Sequence, residues 1–272
     1  MIETDDSARL DPGIPLEWEW PPDPLTLEDD EVHVWRAELD APEAVIHQLQ
    51  QTLDPAEIAR ADRFHFEKDR RQFVIGRGLL RTILGRYLNL KPHRLRFGYA
   101  AQGKPFLMGI RDSSNDASSC RFNLSHSAGV VLIAVTANRE PGIDLERIRP
   151  EFANETIAEE FFSSQESAAL RGLPAYLQPE AFFNCWTRKE AYLKARADGL
   201  SFPLGKFSVS LIPGEPAALL SVHGEPDEIA RWSLLHLNPG TGYVGALVVE
   251  GPKPRLRTFN ARQIEFVMNF GF

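Results

Sequence analysis

The chain has 272 residues, 43% of them hydrophobic, with a formal net charge of -8. That length supports two domains or one large one with a full core, and no run approaches the roughly 18 consecutive apolar residues of a membrane span. The acidic balance argues against general nucleic-acid binding, and two distant cysteines, Cys120 and Cys185, leave neither a disulfide framework nor a cysteine-based zinc site.

The opening "MIETDDSARLDPG" lacks the basic and apolar regions of a signal peptide, so a cytoplasmic protein without membrane contact is expected. Residues 1–30 read as an extended acidic arm, because proline and acid are too dense for regular structure in "DPGIPLEWEWPPDPLTLEDDE", and Arg9 is the single base there. "EVHVWRAEL" alternates like a strand at Val32, Val34 and Ala37. "DPAEIARADRF" opens a helix with Asp54 as N-cap and Pro55 at its first position. "DRRQFVIGRGLLRTILGRYL" follows as a longer helix on the apolar positions Phe73, Ile75, Leu79, Leu80, Ile83 and Leu84.

"RFNLSHSAGVVLIAVTANREPGIDLERI" predicts two strands around the turn "ANREPG", with "VVLIAV" buried. One helix is expected through "ETIAEEFFSSQESAALRGL" and another through "PEAFFNCWTRKEAYLKARADG", stopped by Gly199. Strands near "FSVSLI" and "GYVGALVV" close the pattern. The fold class is therefore α+β in two lobes, divided near Asn138 into 31–138 and 139–272, the second carrying the C-terminal tail.

Charge is distributed unevenly. From Arg60 to Arg96, the bases Arg60, Arg63, Lys68, Arg70, Arg71, Arg77, Arg81, Arg86, Lys91, Arg94 and Arg96 face only Asp62, Glu67 and Asp69. The segment is either the solvated face of a helix or an electropositive surface for a polyanionic ligand or an acidic partner.

Three places carry candidate chemistry. In "PGIDLERI" a strand would turn Asp144 and Glu146 to one face and Ile143 and Leu145 to the core. Two carboxylates on one face are either solvent-facing or await a hard divalent cation that relieves their repulsion. In "NCWTRKEAYLKA" Phe182, Trp186 and Leu193 form a stripe with Glu190 and Lys194 on its flank, an i,i+4 pair. Lys189 falls inside the stripe, where it either snorkels out or meets a buried anion. In "NLSHSAG", Ser125, His126 and Ser127 sit beside a buried strand, and the spacing defines no Ser-His-Asp triad.

Together, "QGKPF" (102–106), "FNLSHS" (122–127), "GIDLE" (142–146), "FFSSQE" (161–166) and "WTRKEAYLKA" (186–195) resemble the Sfp-type 4'-phosphopantetheinyl transferases over about residues 55–210. The resemblance implies a monomer of two similar lobes in a pseudo-twofold arrangement, each a small antiparallel sheet packed with helices, with coenzyme A in the cleft. It implies transfer of the phosphopantetheine arm of coenzyme A to a serine of an acidic acyl or peptidyl carrier protein, with release of adenosine 3',5'-bisphosphate. Carriers of fatty-acid, polyketide and nonribosomal peptide synthesis all remain open.

By position, Asp144, Glu146 and Glu190 match the family's magnesium ligands, for which manganese is the substitute, and Lys194 matches the lysine of its WxxKEAxxK motif. Glu190 is the first candidate for the base that takes the serine proton and Glu166 the second, acting through water; Lys194 would face the departing phosphate. Lys104, Ser125 and His126 match nucleotide or phosphate contacts, and Arg60 a base near the 3'-phosphate. Glu57 and Gln72 stand where the pattern has a lysine and an arginine, with Arg71 as the candidate replacement. The competing readings are a magnesium-dependent phosphohydrolase acting on a nucleotide and a non-catalytic coenzyme A-binding protein.

Overall fold

In the computed structural model, which describes residues 17–101, 103–108, 111–112, 115–116, 120–153, 155–196 and 202–261, the sequence's apolar runs become strands buried on both faces. Strand β1 (Glu31–Glu38) is followed by helices α1 (Glu43–Gln50), α2 (Pro55–Ala61) and α3 (Glu67–Leu88). A hairpin of β2 (Phe97–Tyr99) and β3 (Pro105–Leu107) and the two-residue pair β4 (Arg111–Asp112) and β5 (Asn115–Asp116) precede β6 (Cys120–Ser127), β7 (Val130–Ala137) and β8 (Pro141–Arg147). Helices α4 (Glu155–Phe161), α5 (Ser164–Gly172) and α6 (Gln178–Arg196) come next. The described chain closes with β9 (Phe207–Val209), β10 (Leu219–Val222), α7 (Glu228–Arg231), β11 (Trp232–Leu237), β12 (Tyr243–Glu250) and β13 (Arg255–Asn260).

Two sheets carry the molecule, in the orders β13-β1-β7-β6 and β11-β12-β8. Period-2 alternation sorts each strand into two cores. Val131, Ile133 and Val135 of β7 meet Val74, Ile75, Leu79 and Ile83 of α3, whereas Val130, Leu132 and Ala134 meet Ile143 and Leu145 of β8 and Leu247 of β12. On the far side of the second sheet, Val244, Ala246 and Val248 pack with Phe182, Tyr192 and Leu193 of α6. The layers are thus helix, sheet, sheet, helix, which makes "VVLIAV" continuously apolar. This is the expected α+β architecture of small sheets and helices, the strand pairs of the two sheets being antiparallel except β13 with β1.

Local signals place several boundaries. Asp54 caps α2 in a full capping box with Glu57, with Pro55 in the first turn as expected. The single helix expected over residues 155–173 is two, because Ser163 and Glu166 form a second capping box that starts α5 afresh. "ANREPG" is not a hairpin turn: β7 pairs with β6 and β1, β8 pairs with β12, and the segment carries the chain from one sheet to the other. The true hairpin turn joins β6 to β7, where Ala128 and Gly129 both have positive φ (45° and 87°).

Strand β13 runs parallel to β1, so residues 255–260, grouped by sequence with the second lobe, complete the first lobe's sheet. The acidic arm from Glu17 onward lies along β13, with the Glu19 amide donating to the Thr258 carbonyl at 3.0 Å, and Leu25 and Leu27 pack on the first core. Residues 1–16, Gly199 and the tail beyond 261 lie outside the described residues. Among the described residues, no helix is long and apolar enough to cross a membrane.

Candidate active site

Helix α6 is buried on almost every side. Between Ala181 and Ala195 only Trp186, Glu190 and Lys194 keep solvent contact, and they stand four residues apart on one line. Trp186 therefore belongs with Glu190 and Lys194 on the open line of a buried helix, not with a stripe that they flank. Lys189 takes the buried-anion alternative: its ammonium is 2.7 Å from Glu166, with both side chains 1% exposed, and it donates to the carbonyls of Leu204 and Phe207.

Glycine brings this open line against β8. A Cβ on Gly142 would lie 2.0 Å from the Ala191 carbonyl oxygen and 2.4 Å from the Ala195 amide nitrogen, so α6 rests directly on the β8 backbone. At that separation Lys194 reaches over the strand: its Nζ lies 2.6 Å from Asp144 Oδ1 and donates to the Ile143 carbonyl at 3.2 Å and to Ser125 Oγ at 3.1 Å. The i,i+4 ion pair with Glu190 is not formed, and among the described residues the Glu190 carboxylate has no hydrogen bond or ion pair.

Strand β6 supplies the other wall. Its alternate residues Asn123, Ser125 and Ser127 all face β8 and join the two sheets through side chains. Asn123 Oδ1 accepts from the Ile143 amide (3.0 Å), Ser125 Oγ donates to Asp144 Oδ1 (2.8 Å), and Ser127 Oγ donates to Glu146 Oε2 (2.7 Å). Arg149 stands 3.9 Å from the same Glu146 oxygen. Asn123, Gly142 and Arg149 escaped the sequence reading, and Ser127 was placed beside a buried strand without a partner, although the alternation Asn123, Ser125, Ser127 on one strand face was a usable signal.

Electrostatically the three carboxylates form one system. Burial and then Asp144 push the pKa of Glu190 up, with Glu146 adding to it and Lys194 opposing. Burial likewise raises Glu146, with Asp144 adding and Ser127, Arg149 and Lys194 opposing. Asp144 Oδ2 is buried and has no hydrogen-bond partner among the described residues. No group of three such side chains stands close enough, in this arrangement and among the described residues, to hold an ion between them. The donor chemistry nevertheless fits a hard cation: an orphaned buried carboxylate oxygen, an unpartnered glutamate and a mutually repelling third acid are what an oxygen-preferring divalent ion relieves.

The cluster adjoins a cavity of about 440 Å³ in the first lobe. His126, next to Ser125 on β6, lines it, and its pKa is lowered by partial desolvation and then by Lys194. Arg60 also lines the cavity, its guanidinium 5.2 Å from the Phe73 ring centroid, as does Gln72. The other expected nucleotide contacts are engaged elsewhere. Arg71 turns to Glu43 and the Ala41 carbonyl, and the Lys104 ammonium bonds Glu140 (3.1 Å) and the Lys194 carbonyl (2.8 Å). Gln102 of "QGKPF" lies outside the described residues.

Glu166, the second candidate base, is spent on architecture. Besides Lys189 it accepts from the Ser163 amide (2.7 Å) and the Val209 amide (2.7 Å), at 2% exposure. The basic segment is partly internal for the same reason: Arg77 and Arg81 are buried against Glu57, with Arg81 also on Asp54 at 2.9 Å.

Comparison with known proteins finds matches along most of the chain. Residues 140–248 fit the family model described as the 4'-phosphopantetheinyl transferase superfamily, and residues 35–138 fit 4'-phosphopantetheinyl transferase, N-terminal. The 4'-phosphopantetheinyl transferase HetI of Nostoc sp. (strain PCC 7120) is 44% identical over 238 residues, which are 87% of this chain and 95% of that protein. The chain belongs to the 4'-phosphopantetheinyl transferases.

The transferase is also similar to Sfp of Bacillus subtilis (strain 168), at 31% identity over 58% of this chain and 66% of that one. The human L-aminoadipate-semialdehyde dehydrogenase-phosphopantetheinyl transferase is 29% identical over 60% of this chain and 54% of its own length. The transferase's two family matches meet between β7 and β8, where the chain crosses from the first sheet to the second.

Proposed function

We propose that the junction of β6, β8 and α6 transfers the 4'-phosphopantetheine arm of coenzyme A to a serine of an acidic acyl or peptidyl carrier protein. The observation that carries this reading is the conjunction of three repelling carboxylates and a lysine at the end of a cavity with cationic and aromatic walls. Asp144, Glu146 and Glu190 would hold magnesium, or manganese in its place, through oxygen donors. When bound, the ion supplies neutralisation of charge on the pyrophosphate.

The remaining work belongs to the chain's own residues. Glu190, unpartnered and with its pKa raised by burial and its neighbours, is suited to take the serine proton as the serine oxygen bonds to the β-phosphorus. The bond from that phosphorus to the bridging oxygen breaks, and adenosine 3',5'-bisphosphate leaves with the electron pair. Lys194, fixed by Asp144, Ser125 and the Ile143 carbonyl, offers its positive charge to the departing phosphate. His126 and Arg60 line the route that the nucleotide takes away from the cluster. On this reading the transferase works as a cytoplasmic monomer of two lobes meeting near Asn138.

Incubation with coenzyme A labelled on its pantetheine arm and a panel of apo-carriers tests the reading. Stable carrier labelling by the wild type, lost in Asp144→Ala and Glu190→Ala, is the expected outcome, and near-normal turnover of either variant at saturating magnesium would remove the site assignment. A second readout is thermal: magnesium should raise the Tm of the wild type and not of Asp144→Ala.

A further inference from the structure

Lys104 stands in the tight turn between β2 and β3, where the Ala100 amide donates to its carbonyl at 2.9 Å and the Gly103 amide to the Ala100 carbonyl at 2.8 Å. The hairpin walls the 440 Å³ cavity through Tyr99 and Pro105, but Lys104 does not line it. Its ammonium reaches across to the second lobe instead. It lies 3.1 Å from Glu140 Oε2 and donates to the Pro141 carbonyl at 3.3 Å and the Lys194 carbonyl at 2.8 Å, with the side chain 15% exposed. Three donors thus meet three acceptors, which leaves none for a phosphate. The other oxygen of Glu140 takes Arg121 Nε at 3.1 Å.

The acceptors belong to the two backbones whose separation sets the site. Pro141 opens β8 and precedes Gly142, on which α6 rests. Lys194 lies in the last turn of α6, where a helix leaves its carbonyls without intrahelical amides and a cation meets the negative end of the macrodipole. Lys194 is therefore held at both ends, its carbonyl by Lys104 and its ammonium by Asp144, Ser125 and the Ile143 carbonyl.

We propose that Lys104 is a positioning residue for the transfer: it clamps the last turn of α6 to the start of β8, so that the Lys194 ammonium stays beside Asp144, and it ties that turn to the hairpin that walls the cavity. This rests on the functional reading above, in which Lys194 faces the departing phosphate. Lys104 then acts on the rate of transfer through Lys194 and makes no contact with coenzyme A.

Pantetheine-labelling kinetics of Lys104→Met, alone and combined with Lys194→Ala, test the proposal. The single variant should lose about tenfold in kcat, with the KM for coenzyme A within about twofold of the wild type. In the Lys194→Ala background the same change should cost less than about twofold in kcat, because both substitutions act through one group. A raised KM at unchanged kcat, an unchanged kcat, or losses that multiply in the double variant each overturn it. Should Lys104→Met fail to fold, Glu140→Ala reads the same clamp from a carboxylate that is 39% exposed: a lower kcat at unchanged KM supports it, and an unchanged kcat overturns it. Amide hydrogen exchange without substrate separates this proposal from the functional reading. Faster exchange in the last turn of α6 of Lys104→Met, with the rest of the helix unchanged, supports the clamp, and unchanged exchange overturns it. A wild type that labels no carrier counts against the functional reading alone.

Discussion

Replacing Gly142 with alanine should disable the transferase through geometry alone. The added methyl would sit 2.0 Å from the Ala191 carbonyl oxygen, where an ordinary contact needs roughly 3.4 Å, and the groups it meets are helix backbone that no rotamer change can move. Helix α6 and strand β8 must therefore part by more than an ångström. Overpacking of this kind costs about 1–3 kcal/mol, which at about 2–4 °C per kcal/mol lowers Tm by several degrees. The larger effect falls on chemistry, because Glu190 and Lys194 ride on α6 while Asp144 and Glu146 ride on β8, and a displacement near 1 Å can cost about 10²-fold in rate. Pantetheine-labelling kinetics on folded protein, paired with a melting curve, measure both. A Gly142→Ala variant that melts lower but keeps wild-type kcat would refute the claim that helix-strand separation sets the site, and one that matches the wild type in both would refute the clash itself.

The acidic cluster should oppose folding at neutral pH. The folded-state pKa of Glu190 lies above its usual 4.5, so ionising it disfavours the folded chain. Glu190→Gln should abolish transfer yet raise Tm at neutral pH, with the gain fading as pH falls through the raised folded-state pKa and gone below about 4.5; an equal or lower Tm at neutral pH would show the carboxylates to be unstrained. Lys194→Ala removes the cation that lowers both Glu190 and Glu146, so the acid limb of the pH profile should move to higher pH, with kcat falling more than the affinity for coenzyme A. An unshifted limb would separate Lys194 from the base. Glu166→Ala leaves the Lys189 ammonium buried without its counter-charge and should cost about 3–5 kcal/mol of stability; selective loss of kcat in a protein with wild-type Tm would restore Glu166 as a candidate base.

Much of the site was legible because its signals are short. The period-2 placement of Asp144 and Glu146 against Ile143 and Leu145 holds in β8, and Asp54 with Pro55 starts α2. Other local signals were present and went unread. Ser163 with Glu166 is a capping box that splits one expected helix in two, and it assigns Glu166 to structure before any distance is known. The Arg60–Arg96 segment reads from sequence as either a solvated helix face or an electropositive surface because formal charges are counted along the chain. Folding returns Arg77, Arg81 and Arg71 to Glu57, Asp54 and Glu43, which lie upstream in sequence.

What the sequence by itself determined is whatever depends on neighbours within a turn or a strand: alternation, caps, and the short motifs by which the family can be known. Only the tertiary structure decided the partners. Glu190 and Lys194 are four apart on one helix, yet Lys194 goes to Asp144 because Gly142 lets α6 lie on β8, and Glu190 is left open to the cluster. Strand β13 joins β1 across almost the whole chain, and Glu57 becomes a brace for Arg77 only once α2 meets α3. Those outcomes depend on which surfaces pack, and the hydrophobic force that packs them is non-directional and carries no record of sequence distance.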